Sequence, residues 1–485
     1  MVRLWLRWLP MRRFDLVVIG SGPAGQKAAI QGAKLGKSVC VVEGYGSIGG
    51  VAVNTGTIPS KALREAILNL GTCRVAAGGG PGTAEFAAAA RAATLENLWG
   101  SCHPIIRAEI DLVRSHFANN RVTLVNGWAS FKDPHTIEVS GEHSTELVAG
   151  DFIVIATGTS PAKPANVPFD GVDIITSDEL LGLKTLPHSM IIVGGGVIGV
   201  EYASMLAALG VKVTLIEGRG RILEFVDAEV IEALQYHLRQ AGMTLRLGEK
   251  VVNIKRVEAP QGARSDNNFM AEAVLESGKT LRADCLMYAI GRQGATDKLK
   301  LENAGLSADS RGRIKVNKDF QTNVPHVYAV GDVVGFPALA STSMEQGRVA
   351  SCHAFGQRYE MFAELLPYGI YAIPEISMVG WTEEKLTESG VPYEAGIAQY
   401  KEIARGQLLG DDIGMLKMLI HQESHVILGV HIIGTGATEL VHIGQCAIAF
   451  KATVEYFVNT VFNYPTLAEC YKVAALNGLN KLRSL

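Results

Sequence analysis

The sequence feature that most constrains the fold is a glycine pattern that occurs twice. In each copy an apolar run typical of a buried strand leads into a glycine-rich turn, a helical stretch and a second strand that ends in a glutamate. That glutamate follows the first glycine by 23 residues in both copies, 43 − 20 and 217 − 194. The first copy contains Gly20, Gly22, Gly25 and Glu43, and the second contains Gly194, Gly196, Gly199 and Glu217. The repeat predicts two α/β units of the same kind.

Each residue type in this pattern has a physical role in holding a dinucleotide. The first glycine permits a tight turn, the second lets the backbone approach a pyrophosphate, and the third lets the helix pack on the strand. The helix N-terminus attracts the phosphates, and the glutamate accepts the ribose hydroxyls. The alternative is a pair of glycine-rich turns that bind nothing, and two copies of equal spacing argue against it. We therefore expect two dinucleotides.

Length and composition limit the remaining possibilities. A chain of 485 residues is expected to form two to four domains. Hydrophobic residues make up 48% and charged residues 19%, which is typical of a globular enzyme. The net charge of −3 predicts no nucleic-acid or membrane partner, because either would need a strong basic field.

The seven cysteines are scattered and form no CxxC pair. Such a set indicates a reducing compartment, and we expect a cytoplasmic protein. Structural metal sites need clustered ligands, so no metal site is predicted.

The first ten residues, MVRLWLRWLP, are basic and apolar but too short for a signal peptide. We expect a start at Met11 or a disordered tail, with a membrane-surface segment as the alternative. The apolar stretch 190–216 contains two charged residues and several glycines, so it is not expected to span a membrane.

Four further stretches share the pattern of one enzyme family. They are GGVAVNTGTIPSK at 49–61, DFIVIATG at 151–158, KTLRADCLMYAIGR at 279–292 and TNVPHVYAVGD at 322–332. Together with the two glycine patterns they resemble the flavin disulfide reductases, the family of lipoamide dehydrogenase, glutathione reductase and mercuric reductase. The resemblance covers the chain from Phe14 onward.

This resemblance implies the fold and the bound nucleotides. The implied fold is α/β, with two Rossmann-like, three-layer dinucleotide-binding domains and a C-terminal α+β dimerisation domain. The implied order is an N-terminal extension (1–13), an FAD-binding domain in two parts (14–155 and 289–352) around an NAD(P)-binding domain (156–288), and the dimerisation domain (353–485). The implied FAD-binding residues are Gly20, Gly22, Gly25, Glu43, Gly50, Thr57, Gly158, Gly331, Asp332 and Ala340. The implied NAD(P)-binding residues are Gly194, Gly196, Gly199, Glu217, Arg219, Arg221 and Gly291.

The sequence departs from the family at three linked positions. The family loop reads GGxCxxxGCxPSK, and its cysteines form a disulfide against the flavin; here Ala52 and Thr57 take their places. The family's C-terminal HPTxxE loop supplies a histidine base, and here the stretch is NYPTLAE with Tyr464 at that position, while Glu469 stays. Thiol interchange needs both sulfur and a base. Reduction of lipoamide, glutathione or mercuric ion is therefore not expected, and neither Tyr464 nor Glu469 is assigned a catalytic role.

GTIPSKALRE and FNYPTLAECYKVAALNGLN look like the soluble pyridine nucleotide transhydrogenases. That resemblance implies reversible hydride transfer between NAD(H) and NADP(H) through FAD. Donor and acceptor nicotinamides would visit one site in turn, with ping-pong kinetics. One alternative is an NAD(P)H dehydrogenase that reduces quinones or dyes. Another is a flavin-binding assembly protein without catalysis, which the complete second glycine pattern disfavours.

The family also implies roles for residues near the flavin ring. Lys61 matches the lysine beside flavin N5, which pairs with a glutamate at Glu201 and stabilises the reduced flavin; an exposed lysine at a helix start is the alternative. Asp332 is expected to hold a ribityl hydroxyl. The stretch 338–342, ALAST, precedes a helical run whose N-terminus is expected to meet the flavin N1 and O2 edge.

Nucleotide preference is expected to depend on the end of the second pattern. The carboxylate of Glu217 favours the ribose hydroxyls of NAD, and Arg219 or Arg221 could pair with the 2′-phosphate of NADP. Solvated surface arginines are the alternative.

Two further expectations concern assembly and secondary structure. The family implies a homodimer or a larger homo-oligomer. The stretch 84–118 is predicted to be helical with an interruption at Pro104, and 77–83 is predicted to be a surface loop.

Overall fold

The computed structural model describes residues 11–75, 95–260, 268–359 and 365–483. They form two compact units. Among the described residues, the first unit comprises 11–66, 97–162 and 291–359, and the second comprises 67–75, 95–96, 163–260, 268–290 and 365–483. The first unit is thus assembled from segments on both sides of the second glycine pattern. The finer separation of nicotinamide-binding and dimerisation domains stays a prediction, as does the loop at 77–83, which lies outside the described residues.

The described strands, in chain order, are β1 Met11–Ile19, β2 Val39–Glu43, β3 Thr123–Asn126, β4 Trp128–Asp133, β5 Thr136–Ser140, β6 Thr145–Ile155, β7 Thr159–Pro161, β8 Ile174–Ile175, β9 Ser189–Val193, β10 Lys212–Glu217, β11 Thr244–Leu247, β12 Val251–Glu258, β13 Phe269–Leu275, β14 Thr280–Ala283, β15 Cys285–Tyr288, β16 Arg292–Gly294, β17 Val327–Ala329, β18 Tyr368–Ile370, β19 Ile376–Gly380, β20 Tyr393–Gln399, β21 Met415–His421 and β22 Ile427–Ile433.

The described α-helices are α1 Pro23–Lys34, α2 Gly50–Asn54, α3 Thr57–Val75, α4 Leu95–Asn119, α5 Ser177–Leu180, α6 Val197–Ala208, α7 Ala228–Gln240, α8 Ala340–Ala354, α9 Glu383–Glu388, α10 Ala404–Leu409, α11 Ala437–Ala449, α12 Val454–Asn459 and α13 Glu469–Leu482. Short 3-10 turns occupy Leu301–Ala304, Gly331–Val334 and Tyr400–Glu402.

The first unit is built on a seven-stranded sheet in the order β3-β2-β1-β6-β5-β4, with β17 also paired to β6. Strands β1, β2, β3, β6 and β17 are parallel. Alternate residues of β1 enter two different cores, since Leu16 and Val18 pack with α1 and α8, while Val17 and Ile19 pack on the opposite face. Burial on both faces explains why this strand is a continuous apolar run.

Strand β1 begins three residues earlier than the sequence predicts. Met11, Arg12 and Arg13, expected to lie in an N-terminal extension, pair with Leu147–Ala149 of β6. The partner strand causes the extension, because β6 has 11 residues and continues the ladder beyond the apolar run. A pattern that identifies only the buried part of a strand cannot locate this end.

Helix α4 corrects a second prediction, since it continues through Pro104 without interruption. Proline removes one backbone hydrogen bond from a helix interior. Buried side chains anchor the helix on both sides of that point, with Leu98, Trp99 and Cys102 before it and Val113 and Phe117 after it. This packing outweighs the local cost of the proline.

The second unit contains the second glycine pattern. A five-stranded sheet in the order β11-β10-β9-β15-β8 is parallel, and a three-stranded antiparallel sheet, β12-β13-β14, is formed by the chain between β11 and β15. Helix α6 follows the glycine turn and is buried from Gly199 to Leu206. A helix that is apolar on all sides is expected where it packs into a core.

The C-terminal part of the second unit is an antiparallel sheet, β18-β19-β22-β21-β20, with helices α11, α12 and α13 packed on it. Within this unit the ammonium of Lys417 is fully buried and contacts Asp227, Glu229 and Glu383 at 2.8–2.9 Å. These carboxylates lie close enough to one another to bind a cation, and the lysine takes that place. Tyr464 is highly exposed in the loop before α13.

Candidate active site

The first unit contains a cavity of about 330 Å³, within the range of ligand sites. Its walls come from the turn after β1, the end of β2, the start of α2, the segment after β6, and the start of α8. Parallel strands place their carboxyl ends at one edge of a sheet, and such an edge is where open α/β sheets bind ligands. The cavity therefore lies where the first glycine pattern predicts a dinucleotide.

The three glycines of the first pattern have the local geometry expected of a dinucleotide-binding turn, and their contacts with a nucleotide stay a prediction. Gly20 has φ +103°, and a Cβ there would lie 2.4 Å from the carbonyl oxygen of Ala156. A Cβ at Gly25 would lie 2.0 Å from the carbonyl oxygen of Gly20, so α1 packs directly on the turn. Gly22 lines the cavity, and its nearest neighbour is the Cα of Gly50, 3.9 Å from a Cβ position. The backbone at Gly22 is thus open to a phosphate.

Glu43 lies at the end of β2 and lines the cavity. Its Oε2 accepts hydrogen bonds from the backbone N–H (3.0 Å) and hydroxyl of Ser21. Its Oε1 accepts the backbone N–H of Tyr45 at 2.9 Å. A carboxylate has about four acceptor positions, so three donors leave capacity for a ribose hydroxyl.

Asp332 lines the other part of the cavity. It accepts only long hydrogen bonds, from the hydroxyls of Thr159 (3.4 Å) and Ser343 (3.5 Å). Burial raises the pKa of Asp332, while nearby Arg292 and the two hydroxyls oppose the shift. A poorly solvated carboxyl with weak partners is suited to bind a ligand hydroxyl. Gly158, Gly331 and Ala340 also line this part, and α8 begins at Ala340, inside the stretch 338–342 that was predicted to precede the helix.

The loop at 49–61 folds as a short helix, α2, followed by α3. Ala52 and Thr57 both line the cavity, and so does Gly50. Among the described residues, none of those that line the cavity is a cysteine. Lys61 lies one turn into α3 and is partly buried. Ala52 and Thr57, which stand where the family has its disulfide cysteines, therefore line the cavity and contribute no thiol to it.

Sequence reasoning missed an aromatic group at the Glu43 end of the cavity. Trp128 and Tyr45 line the cavity with ring centroids 5.0 Å apart, and the ammonium of Lys298 lies 3.7 Å from the Trp128 ring centre. A Cβ at Gly44 would lie 2.8 Å from Trp128. Gly44 directly follows Glu43 at the end of β2, and the absence of a side chain there is the local feature of the sequence that leaves room for Trp128. The group offers flat faces suited to stack on an adenine ring.

In the second unit the glycines repeat the same geometry. Gly194 has φ +118°, and a Cβ there would lie 2.7 Å from the carbonyl oxygen of Ala289. A Cβ at Gly199 would lie 1.9 Å from the carbonyl oxygen of Gly194, and nothing lies within 4 Å of a Cβ at Gly196. Gly291 belongs to the first unit and has φ +80°. Its contact with NAD(P) stays a prediction.

Glu217 ends β10 with both carboxylate oxygens engaged. Its Oε2 accepts the N–H of Gly195 at 2.7 Å. The guanidinium of Arg219 donates from Nε to Oε1 (2.9 Å) and from Nη2 to Oε2 (3.0 Å), and the Arg219 backbone N–H donates to Oε1 (2.9 Å). Burial alone would raise the pKa of Glu217, but these hydrogen bonds outweigh it and hold the pKa below its usual range. The group is therefore a charged, covered carboxylate.

Arg221 has different partners. It donates to Glu384 at 3.0 Å and to the carbonyl oxygen of Glu224 at 2.9 Å. Glu201 is buried in α6 and accepts the backbone N–H of Tyr371 at 2.8 Å. Lys61 and Glu201 belong to different units, and their pairing stays a prediction.

Comparison with known proteins gives the class to which this fold and cavity belong. Residues 14–347 match the family described as pyridine nucleotide-disulphide oxidoreductase, and residues 366–475 match the dimerisation domain of that family. The chain belongs to the pyridine nucleotide-disulphide oxidoreductases. Within the described residues, no helix is long and apolar enough to cross a membrane.

Its relatives define the group more narrowly. A protein of Mycobacterium bovis named soluble pyridine nucleotide transhydrogenase is 53% identical, over 98% of this chain and 99% of that protein. One of the same name from Photobacterium profundum is 44% identical, over 97% and 98%. Among solved structures, the HOCl-induced flavoprotein disulfide reductase RclA from Escherichia coli has a TM-score of 0.84 and 25% identity, covering 96% of this chain and 100% of that chain. Within its family the chain thus groups with the soluble pyridine nucleotide transhydrogenases.

FAD is the cofactor of this family, and the cavity fits it. The open backbone at Gly22 suits a pyrophosphate, and Glu43 has acceptor capacity for a ribose. Asp332 has only weak partners and can take a ribityl hydroxyl. The buried hydroxyl of Thr157, which also lines the cavity, has no hydrogen-bond partner and is a further polar group for the cofactor.

Proposed function

We propose that this protein is a soluble NAD(P)⁺ transhydrogenase that moves hydride reversibly between NADPH and NAD⁺ by a ping-pong mechanism without a redox-active disulfide. The observation that carries the proposal is a cavity at the first glycine pattern in which Ala52 and Thr57 stand at the disulfide positions. Disulfide chemistry needs a thiolate, and none of the described side chains that line the cavity can provide one.

Bound FAD supplies a two-electron carrier that accepts hydride from one nicotinamide and returns it to another. The protein's own contribution is to bind and orient. The turn at Gly20–Gly22 and the N-terminus of α1 would hold the pyrophosphate, Glu43 would hold the ribose, and Asp332 would hold the ribityl chain. The N-terminus of α8 directs its positive end to the cavity, because Ala338, Ala340 and Ser343 line it.

We assign Lys61 and Glu201 to the catalytic site. In this role the Lys61 ammonium stabilises negative charge where it develops, and Glu201 orients the lysine. Lys61 lies on α3 four residues after Thr57, so it is on the helix face that Thr57 presents. Glu201 is buried, which limits its movement.

The second glycine pattern is the site for both nicotinamide nucleotides. The two substrates share all atoms except a 2′-phosphate, so the turn after β9 can hold either pyrophosphate. One site used twice requires that the first product leave before the second substrate binds. The kinetic consequence is a ping-pong pattern.

The dimerisation domain at 366–475 supports a homo-oligomer, and we propose a homodimer or a larger assembly in the cytoplasm. Exposed apolar side chains in this part of the chain suit a partner surface; they include Phe450, Tyr456, Val461 and Tyr464.

The proposal is tested by steady-state kinetics with NADPH and the thio-analogue of NAD⁺, whose reduction has its own absorbance. Parallel double-reciprocal plots, with no activity toward lipoamide or glutathione, are expected. A protein that oxidises NADPH with a quinone but does not reduce the thio-analogue would be a dehydrogenase instead.

A further inference from the structure

Glu217 has no acceptor position left for a ribose. A carboxylate offers about four acceptor positions. Here two are filled by backbone N–H groups, of Gly195 and Arg219, and two by the Arg219 side chain. The backbone donors are fixed by the turn after β9 and the end of β10, but the side chain can rotate away. The two positions under the guanidinium are therefore the ones that ribose hydroxyls can use.

The Arg219 side chain is well placed to move. It is 47% exposed, whereas that of Glu217 is 9% exposed. Because the arginine is the exposed member of the pair, water can solvate its guanidinium when the contacts with Glu217 open. Beyond Glu217, the guanidinium makes only a long contact of 3.4 Å with exposed Glu224. Arg221 is not equivalent, because Glu384 and the backbone of Glu224 hold it.

A second cation lies beside this pair. Gly218 has no side chain, and a Cβ there would lie 3.1 Å from Cγ of Lys250, so the lysine stem passes across this glycine. Lys250 is exposed. With Arg219 over Glu217, the carboxylate charge is covered, and the Lys250 stem passes along Gly218, the residue between the two members of the pair. That combination of donors suits a phosphate monoester.

We propose that Arg219 is a two-position selector of the nicotinamide nucleotide. Closed over Glu217, as in this structure, it cancels the carboxylate charge and, with Lys250, binds the 2′-phosphate of NADP(H). Open, it uncovers Glu217, which then accepts the ribose hydroxyls of NAD(H). The inference rests on the proposed function, in which one site must take both nucleotides in turn.

The test is equilibrium titration of the FAD-loaded enzyme with NADP⁺, NAD⁺, 2′,5′-ADP and 5′-AMP, in the native chain and in Arg219→Ala. The variant is expected to bind NADP⁺ and 2′,5′-ADP roughly 10- to 100-fold more weakly, because hydrogen bonds between charged groups are lost. It is expected to bind NAD⁺ and 5′-AMP about 2- to 5-fold more tightly, because no ion pair has to open. Lys250→Ala should weaken only the two 2′-phosphorylated ligands.

Arg282→Ala is the matched control. Arg282 pairs with Glu272 at 2.8 Å in the same unit, with side chains 51% and 11% exposed. The Arg282→Ala variant should leave the ratio of the NADP⁺ affinity to the NAD⁺ affinity unchanged. Weaker or unchanged NAD⁺ binding in Arg219→Ala would overturn the selector, since a purely structural arginine moves both affinities the same way. The probes 2′,5′-ADP and 5′-AMP contain no nicotinamide. The ratio of their affinities can therefore be measured even if the enzyme transfers no hydride.

Discussion

At the scale of single residues, the chemistry depends on what Ala52 and Thr57 lack. A methyl group and a hydroxyl line the cavity where the family carries sulfur. None of the six cysteines that the structure describes lines the cavity in its place. Five of the six described cysteines are buried, and burial raises the pKa of Cys40 and of Cys470 to about 12, so both thiols stay protonated at neutral pH.

Thiol alkylation is therefore expected to leave transhydrogenation intact. The protein is first reduced with NADPH, so that any redox disulfide would open, and then treated with N-ethylmaleimide. Cys446, the exposed cysteine among the six, is expected to react. Mass spectrometry gives the number of modified thiols and the thio-NAD⁺ assay gives the rate, with Cys446→Ser as control. Loss of activity in step with modification of a buried cysteine would show a thiol mechanism.

At the scale of elements, each predicted nucleotide site consists of a strand, a glycine turn and a helix. The helix packs directly on the turn, because a glycine stands where a side chain would separate them. In the first copy, Gly25 brings α1 against the carbonyl of Gly20. The position of the helix N-terminus, and with it the backbone donors for a pyrophosphate, depends on that contact.

Gly25→Ala is expected to lower both stability and FAD affinity. The added Cβ would lie 2.0 Å from the Gly20 carbonyl oxygen, and such overpacking costs about 1–3 kcal/mol or more. Gly100→Ala is the control, because Gly100 lies within α4 with nothing inside 4 Å of a Cβ. It should stabilise the protein by about 0.5–1 kcal/mol. Thermal unfolding and FAD titration of the apoprotein measure both variants; equal behaviour would refute the packing argument.

At the scale of the whole molecule, the second unit holds a fully buried lysine. Burial would lower the pKa of Lys417, but its bonds with Glu383 and Asp227 outweigh this and raise it. For Asp227, burial acts to raise the pKa, and the charges of His431 and Lys417 lower it overall. Burial lowers the pKa of His431, and the Asp227 carboxylate opposes that shift.

These shifts predict how stability depends on pH. Asp227 has a lower pKa in the folded than in the unfolded chain, so its contribution is present above pH 3.8 and is lost as the pH falls through the folded pKa. His431 also has a lowered folded pKa, so acidification below pH 6.5 destabilises the fold as the unfolded chain takes up the proton.

Lys417→Met is expected to cost about 3–5 kcal/mol at neutral pH, because it leaves the Asp227 charge buried and unpaired. Lys279→Met removes an exposed lysine that lies 3.5 Å from Glu249 and should cost at most about 1 kcal/mol. Denaturant unfolding between pH 5 and 8 measures both. A Lys417→Met protein as stable as the control would contradict this assignment.

Structural features that depend on neighbouring residues in the sequence could be predicted, and features that depend on contacts between distant residues could not. The glycine turns at Gly20 and Gly194 depend on their own backbone and were found from spacing alone. The start of β1 depends on β6, more than 130 residues away. Trp128 and Lys298 meet Tyr45 only through the fold, and the pairing of Arg219 with Glu217 needs side-chain coordinates. The Lys61 and Glu201 pair stays a prediction.

The most direct test of the central claim is an anaerobic half-reaction experiment. NADPH is added to the FAD-loaded protein, the flavin absorbance is followed, and the thio-analogue of NAD⁺ is then added. We predict rapid bleaching, followed by full recovery of the absorbance with one analogue reduced per flavin. Bleaching that a quinone reverses but the analogue does not would contradict the account.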